Sequence, residues 1–269
     1  MRGASRASFA SLREALSGVA VGPATSEQIG DQLFAVVRLL DAEHGLRRAL
    51  ADASKPSGEK ADVAQRLLHG RVSEATEGLV AQAAAAQWAG PGDFADALEQ
   101  LAIEAFTMSA LYDGTLDDLE DDLFRFGRVV SGQAGLRSVI TGPTGPDAKA
   151  SLLENLLSGK VSEPSLSLIT QVLTHPRGRS PQAVLDLAAS IAARRREQLI
   201  AVVRVAAELS AAQRQRLLAA LTAAYGQGIH LNVVHDPAVV GGISVQIGDE
   251  LIDGTAASRL SEVRRRLAG

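Results

Sequence analysis

Residues 236–260 read DPAVVGGISVQIGDELIDGTAASRL, and this stretch decides the fold of the C-terminal end of the chain. Between 243 and 247 apolar and polar residues alternate, which is the period of a half-buried β-strand. The pair 248–249 predicts a tight turn, because its glycine supplies the positive φ that a two-residue hairpin loop requires. A return strand is expected from 251, and Asp-Gly at 253–254 ends it before a final helix.

The residues before this stretch predict further elements of the same small domain. The run 199–205 is rich in β-branched residues and predicts a strand, and 229–234 predicts another. Between them Ser210 and Gln213 have the spacing of a capping box, so a helix is expected to begin at Ser210. The C-terminal region therefore has the predicted order β-α-β-β-β-α.

The order of these signals resembles the C-terminal signature of the delta subunit of F-type ATP synthases, the family of the mitochondrial oligomycin-sensitivity-conferring protein. In that family an acidic or polar residue precedes two glycines, a strand, a Gly-Asp turn, an Asp-Gly pair and a helix with Arg-Leu. The matching residues of this chain, to which the resemblance assigns a mainly structural role, are Asp236, Gly241, Gly242, Gly248, Asp253, Gly254, Arg259 and Leu260. Outside this stretch the resemblance is limited to the helical pattern and the strand near residue 200.

The rest of the chain has the composition of a helical protein. Of its 269 residues 46% are hydrophobic but only 3% aromatic, so alanine, leucine and valine must fill the core, and the first two favour helices. Three segments recur in order with their apolar positions preserved: 31–34 with 121–124 at an offset of 90 (121 − 31), 45–47 with 135–137 at 90 (135 − 45), and 67–74 with 156–163 at 89 (156 − 67). Such self-similarity indicates an internal duplication of a helical unit.

The predicted fold is therefore α+β, with a mostly helical N-terminal region of two lobes and a small C-terminal domain. The first helical lobe is expected at 1–110 and the second at 111–198. The small β-α-β-β-β-α domain is expected at 199–269.

A first helix carries one apolar face, made of Phe9, Leu12 and Leu16. We expect this helix to occur only once, so the two lobes would not offer identical surfaces. The resemblance implies a groove that binds alpha subunits, so these three residues are our candidate contacts with an alpha subunit. The first lobe is the expected place of that groove, because the single helix directly precedes it. Thr25 and Gln28 have capping-box spacing and predict the start of the next helix.

Charge, cysteine content and hydropathy exclude several classes of protein. A net charge of −4 and a pI of about 5.8 argue against binding to nucleic acid. The chain has no cysteine, which excludes disulfides and cysteine-ligated metals. The apolar runs are far shorter than the ~20 residues of a membrane-spanning helix, so we expect no direct insertion into a membrane.

No motif predicts catalysis or cofactor binding. The sequence has neither a P-loop nor a Gly-x-Ser-x-Gly elbow, and its five histidines are scattered. Asp236 and Asp253 could form a carboxylate pair, but a turn and a helix cap are the simpler interpretation. Gly241 and Gly242 could approach a phosphate, although a bend at the strand entry is the simpler expectation. We therefore predict no catalytic residue, no cofactor and no metal.

Three features leave alternatives open. The basic runs 194–196 and 264–266 either contact an acidic partner or are solvated helix ends that interact favourably with the helix dipole. The acidic stretch 113–122 is either the start of a helix or a surface for a basic partner. Trp88, the single tryptophan, is either part of the core or a contact for a partner.

The resemblance implies a non-catalytic subunit of a proton-translocating F-type ATP synthase. It places the protein at the top of the peripheral stalk, or stator, on the cytoplasmic face of a bacterial cell membrane, as a peripheral protein. The helical part would bind N-terminal segments of the alpha subunits of the catalytic head, and the C-terminal domain would bind the b subunit. The alternative is a helical adaptor that binds amphipathic helices and is unrelated to ATP synthase, and a hydrolase or transferase with an unrecognised site comes third.

Overall fold

The computed structural model describes the ranges 3–196, 199–206, 209–225, 229–236, 239, 242–247 and 250–253. Contacts between Cα atoms divide the chain into two compact units, Met1–Ala193 and Arg194–Gly269. The first unit is helical and the second contains a small sheet, so the predicted α+β class is confirmed.

The helical unit is built from helices joined by short connections. They are α1 (Ala4–Val19), α2 (Pro23–Ala42), α3 (His44–Ala51), α4 (Ser57–Leu68), α5 (Glu74–Ala85), α6 (Pro91–Tyr112), α7 (Leu116–Gly132), α8 (Ala134–Thr141), α9 (Pro146–Leu157), α10 (Glu163–Thr174) and α11 (Pro181–Arg196).

The helix bounds repeat along the chain, which agrees with the predicted duplication. Helices α3 and α8 have 8 residues each and begin 90 residues apart (134 − 44). Helices α4 and α9 have 12 residues each and begin 89 apart (146 − 57). Helices α5 and α10 also have 12 residues each and begin 89 apart (163 − 74). We call α2–α6 the first repeat and α7–α11 the second repeat.

The two repeats also share a detailed hydrogen-bond pattern at the start of their fourth helix. Ser73 caps α5 and Ser162 caps α10, and each hydroxyl accepts the backbone N–H three residues later at 3.3 Å. The backbone N–H of Ser73 donates to Gln32 Oε1 at 3.0 Å, and that of Ser162 donates to Asp122 Oδ2 at 3.2 Å. A side chain from the first helix of each repeat therefore fixes the same corner.

One apolar core runs through both repeats, because α6 packs against helices of each. From Phe94 to Ala110 every residue of α6 except Asp96 and Gln100 is buried, as expected for a helix that is surrounded by others. Helix α6 contacts α1, α2, α3 and α5 and also α7 and α10 of the second repeat. The predicted division of the helical region at residue 110 thus lies near the end of a helix that both parts share.

The expectation that the first helix occurs only once is wrong. Helix α1 precedes the first repeat and packs against α5, and α6 precedes the second repeat and packs against α10, the counterpart of α5. The sequence hid this equivalence because α6 also belongs to the first repeat. Buried residues, some of them polar, therefore lie around the whole circumference of α6, whereas the buried residues of α1 form one stripe.

One of two predicted capping boxes is wrong. The box at 25–28 does not start a helix, since α2 already begins at Pro23 after Gly22. Proline suits the first turn of a helix, and Gly22 takes a φ of +93°, which favours glycine. The other box is confirmed, because the N–H of Ser210 donates to Gln213 Oε1 at 2.9 Å and the N–H of Gln213 donates to Ser210 Oγ at 3.3 Å.

The C-terminal unit contains a four-stranded mixed sheet and one helix among the described residues. The elements are β1 (Leu199–Val205), α12 (Ala211–Tyr225), β2 (Ile229–His235), β3 (Ile243–Ile247) and β4 (Glu250–Asp253). The strand order is β2-β1-β3-β4, with β1 parallel to β2 and antiparallel to β3, and β3 antiparallel to β4.

The buried faces of β1, β2 and β3 pack with α12 to form a separate small core, which includes Val203, Leu221 and Val245. All four predicted strands are confirmed. The turn predicted at 248–249 and the final predicted helix lie outside the described residues.

No helix in the described part of the chain combines the length and the apolar character that crossing a bilayer requires.

Candidate partner-binding surface

Helix α2 of the first repeat lies against two helices that belong to the second repeat or lead into it, α6 and α10. It approaches α6 closely at Gly30, where an added Cβ would lie 2.7 Å from the Phe106 ring. Polar groups join α2 to α10, where Arg38 Nη1 donates to Gln171 Oε1 at 2.8 Å and Gln171 Nε2 donates to Asp31 Oδ1 at 2.8 Å. The second repeat thus has a helix seated across α6 and α10.

The corresponding surface of the first repeat, across α1 and α5, is exposed. Gly78 and Gln82 on α5 lie 89 residues before Ser167 and Gln171 on α10 (167 − 78, 171 − 82), and they are exposed where the later pair is half-buried. Gln82 Nε2 donates to Ser11 Oγ on α1 at 3.4 Å. We call Ser11, Gly78 and Gln82 the α1–α5 surface.

The α1–α5 surface was not predicted from the sequence. The duplication points to it. A residue of the second repeat that contacts α2 has an equivalent in the first repeat that no helix covers. Gly78 leaves open space, because an added Cβ there meets no atom within 4 Å. A helix could therefore approach α5 closely at this point, as α2 approaches α6 at Gly30.

The candidate contacts on α1 are not placed together on the surface. Leu12 and Leu16 are fully buried in the core, where they hold α1 against the other helices. Phe9 is partly buried and packs against the same core. A partner contact at α1 stays a prediction, and in this conformation Leu12 and Leu16 are not available to it.

Trp88 also belongs to the core. Its side chain is buried, its Nε1 donates to the carbonyl oxygen of Ala83 at 2.7 Å, and its ring lies 6.0 Å from that of Phe94. Of the two alternatives for this tryptophan, the structure supports core packing.

The described part of the C-terminal signature has structural contacts. The N–H of Asp236 donates to the carbonyl oxygen of Val205 at 2.9 Å, and its own carbonyl accepts the N–H of Val239 at 3.1 Å. Gly242 has a φ of +92°, the left-handed region that favours glycine.

The end of the signature is described only in part. Asp253 pairs with Ser244 at the end of β4. Gly241, Gly248, Gly254, Arg259 and Leu260 lie outside the described residues.

A cluster of charged side chains joins the two repeats, and the sequence analysis missed it. In the connection between α10 and α11, Arg177 Nε donates to Asp41 Oδ2 at 2.7 Å, and its Nη1 donates to Asp96 Oδ1 and Glu99 Oε2, each at 2.8 Å. Arg179 also donates to Glu99. We call these five residues the Arg177 clasp. It ties the second repeat to the end of α2 and to α6.

The clasp brings three carboxylates together with two guanidinium groups, and Arg47 adds a third by donating to Asp41 Oδ1 at 2.9 Å. The Glu99 side chain is only 3% exposed and that of Arg177 13%. Burial alone would lower the pKa of Arg177, but the carboxylates of Glu99 and Asp41, followed by Asp96, raise it above the ordinary value. Arg177 therefore keeps its charge in spite of its burial.

Among the residues that the structure describes, no group of three or more His, Asp or Glu side chains is placed to hold a metal ion.

A comparison with protein families gives a clear match. The family model described as ATP synthase delta (OSCP) subunit matches residues 93–267. The chain belongs to this family. The match begins inside α6 and continues through the second repeat and the C-terminal unit, so the family unit has α6 as its first helix and α1–α5 lie before it.

Individual relatives extend the match to the whole chain. The ATP synthase subunit delta of Thermobifida fusca is 46% identical over 270 residues, with 100% of both chains covered. That of Streptomyces griseus is 44% identical over 271 residues, again with 100% of both covered. That of Acidothermus cellulolyticus is 41% identical over 273 residues, with the same coverage. The first repeat therefore has a counterpart in these bacterial relatives.

A solved structure also matches, but weakly. It is a chain of the Toxoplasma gondii mitochondrial ATP synthase hexamer, with 18% identity and a TM-score of 0.27, covering 62% of this chain and 95% of that one. The score is too low to support any conclusion about the fold.

Proposed function

We propose that this chain is a non-catalytic subunit of the peripheral stalk of a proton-translocating ATP synthase, where it connects the catalytic head to the b subunit. Membership of the delta (OSCP) subunit family supports a place in that complex. The observation that carries the proposal is the α1–α5 surface. The second repeat has a helix seated on the equivalent surface, and the first repeat leaves its own surface exposed.

On this proposal the α1–α5 surface binds an N-terminal segment of an alpha subunit as an amphipathic helix. Helix α2 shows what such a helix needs. It has a small residue at the closest approach, Gly30, and polar side chains that pair with Gln171. The alpha segment is therefore expected to bring a small residue near Gly78 and a hydrogen-bonding side chain to Gln82. Because α2 already covers the equivalent surface of the second repeat, this chain is expected to bind one alpha-subunit helix in this way.

The proposed link to the head is tested by Gly78→Arg. Gly78 is exposed on α5 and has open space around an added Cβ, so the arginine fits the isolated chain but obstructs a docked helix. Gly58→Arg is the matched control, since Gly58 is also exposed on a helix with open space around it. Both changes replace glycine by a better helix former. At Gly58, in the first turn of α4, the unfavourable interaction of the arginine with the helix dipole offsets this gain, so the net change in stability is expected to be small.

Binding of both variants to the purified catalytic head is measured by calorimetry, and thermal unfolding verifies that each is folded. We expect Gly58→Arg to bind as the unaltered chain does and Gly78→Arg to lose at least tenfold in affinity, about 1.4 kcal/mol. Equal affinities of the two folded variants would mean that the head binds elsewhere.

The C-terminal unit is proposed to bind the b subunit along β4. Leu251 and Ile252 on this strand are both exposed, and adjacent exposed apolar residues on a strand at the side of a sheet are a common protein contact. Leu251→Lys should weaken binding of the b subunit. Val234→Lys, at an exposed apolar position of β2 on the other side of the sheet, should leave it unchanged.

A further inference from the structure

The residues with which α2 packs on α6 and α10 recur on α7, the equivalent helix of the second repeat. On α2 they are an acidic, an aromatic and a basic residue along one helix face, namely Asp31, Phe34 and Arg38. At an offset of 90 (121 − 31, 124 − 34, 128 − 38) α7 has the same three residue types. We call this set the α7 stripe, and its members are Asp121, Phe124 and Arg128.

The aromatic residues of the two helices differ in burial. Phe34 is 4% exposed, and its ring lies 6.0 Å from that of Phe106 on α6. Phe124 is 62% exposed, and both charged residues of the α7 stripe are exposed beside it. The α7 stripe therefore has the residue types of a helix face that is buried in the first repeat, but it lies on the surface of the chain.

The chain also contains a surface that fits such a stripe. In the internal contact Gln171 on α10 donates to Asp31 and accepts from Arg38. Gln82 of the α1–α5 surface is the same residue at the equivalent position, and it is exposed. Its amide group donates one hydrogen to Ser11, and it has a second hydrogen and a carbonyl oxygen for a carboxylate and a guanidinium group. Gln82 can therefore join the acidic and basic residues of the α7 stripe as Gln171 joins those of α2.

We propose that the α7 stripe of one copy of this chain binds the α1–α5 surface of a second copy. The contact repeats between two chains the packing of α2 on α10 within one chain. Each copy has one stripe and one matching surface, so the copies join head to tail. The proposal rests on the internal contact and not on the proposed function. Because it uses the surface proposed for an alpha segment, self-association and binding of the catalytic head exclude each other.

The contact between copies is expected to be weaker than the internal contact. Arg177 and Arg179 strengthen the internal one from the connection between α10 and α11. The corresponding connection between α5 and α6, residues 86–90, reads AQWAG and has no charged residue. Asp121 also shares its carboxylate with Arg125 at 2.8 Å. We therefore expect self-association at concentrations between about 10 µM and 1 mM.

Analytical ultracentrifugation of the purified full chain tests the proposal, and the average mass should rise above that of one chain in this range. Phe124→Lys puts a charge where the contact buries an aromatic ring, so it should weaken self-association at least about tenfold. Val139→Lys on α8 is the matched control. Its side chain is also exposed, at 40%, and lies outside the α7 stripe, so this variant should associate as the unaltered chain does.

Mixing two variants then tests the head-to-tail geometry. Gly78→Arg obstructs the α1–α5 surface and keeps the α7 stripe, and Phe124→Lys does the reverse. At concentrations at which the unaltered chain associates, each variant alone should remain a single chain. Their equimolar mixture should form a complex of two chains and nothing larger, because one intact contact remains.

Thermal unfolding verifies that the variants are folded, and Phe124→Gln, which adds no charge, is a second variant at that position. The proposal is wrong if the unaltered chain keeps the mass of one chain up to about 1 mM. It is also wrong if Val139→Lys weakens association as much as Phe124→Lys, or if the mixture of Gly78→Arg and Phe124→Lys forms no complex.

Calorimetry with the purified catalytic head keeps this proposal apart from the proposed function. Phe124→Lys leaves the α1–α5 surface intact and should bind the head as the unaltered chain does; if it loses this binding, the α7 stripe contacts the head and the proposal is wrong. Equal binding of Gly78→Arg and Gly58→Arg to the head, with self-association lost in Gly78→Arg alone, removes only the proposed link to the head. Loss of head binding by Gly78→Arg in a chain that never self-associates removes only the contact between copies.

Discussion

Removal of the central arginine of the Arg177 clasp should weaken the helical unit strongly. Arg177→Met keeps an unbranched side chain in the same place but withdraws the charge that faces Asp41, Asp96 and Glu99. Glu99 is 97% covered, with a side-chain exposure of 3%, so its carboxylate depends on protein groups rather than water.

The expected magnitude follows from the exposure of each partner. Loss of one member of a buried ion pair costs about 3–5 kcal/mol, because the other charge stays uncompensated. Arg179 still donates to Glu99 in the variant, which lowers this cost. Asp96 is 50% exposed, and pairs at such positions contribute at most about 1 kcal/mol. We therefore expect Arg177→Met to lower the free energy of unfolding of the helical unit by about 2–4 kcal/mol.

Fluorescence of Trp88 during urea unfolding measures this change in the helical unit alone, since Trp88 is the single tryptophan and is buried there. Arg125→Met is the control. Arg125 pairs with Asp121 at 2.8 Å, but their side chains are 72% and 65% exposed, so a loss of about 0.3–0.5 kcal/mol is expected. If Arg177→Met lowers the free energy of unfolding by no more than Arg125→Met does, the clasp does not have the proposed role.

Three further changes test other parts of the fold by the same fluorescence measurement. Gly30→Val should lower the free energy of unfolding of the helical unit by about 1–3 kcal/mol, since the valine side chain would overlap the Phe106 ring. An unchanged midpoint of urea unfolding would mean that α2 can shift. Ser73→Ala removes a helix cap and should cost about 1–2 kcal/mol; a smaller cost would mean that water replaces the hydroxyl. Burial, and then the charges of nearby Arg38 and Lys149, lower the pKa of His175 from 6.5. The unfolded chain therefore binds more protons just below pH 6.5, so stability falls as pH drops through this range, and His175→Gln should reduce the slope.

The elements that depend on neighbouring residues were predictable from the sequence. Alternation at 243–247 gave the strand β3, and the Ser210–Gln213 spacing gave a capping box that forms. The box at 25–28 failed because Pro23 starts the helix earlier. The strand order β2-β1-β3-β4 joins segments that are distant in the sequence, so no local pattern predicts it.

The sites depend on contacts between distant residues and were less predictable. Arg177 meets Asp41 across 136 positions and Glu99 across 78, and sequence periodicity contains no signal for such pairs. The α1–α5 surface was in principle accessible, because the offset of 89 relates Gln82 to Gln171. The sequence does not show where α2 lies. In the structure α2 covers Gln171 and leaves Gln82 exposed.

The central claim is that this chain connects the catalytic head to the stalk, so that proton flow and ATP turnover are coupled. It is tested most directly in membrane vesicles that contain the ATP synthase, by measuring ATP-driven proton pumping before removal of this chain, after removal and after its return. We expect pumping to stop on removal, to recover with the unaltered chain and with Gly58→Arg, and to recover poorly with Gly78→Arg. Undiminished pumping in vesicles that lack the chain would contradict the claim and favour an adaptor without a role in coupling.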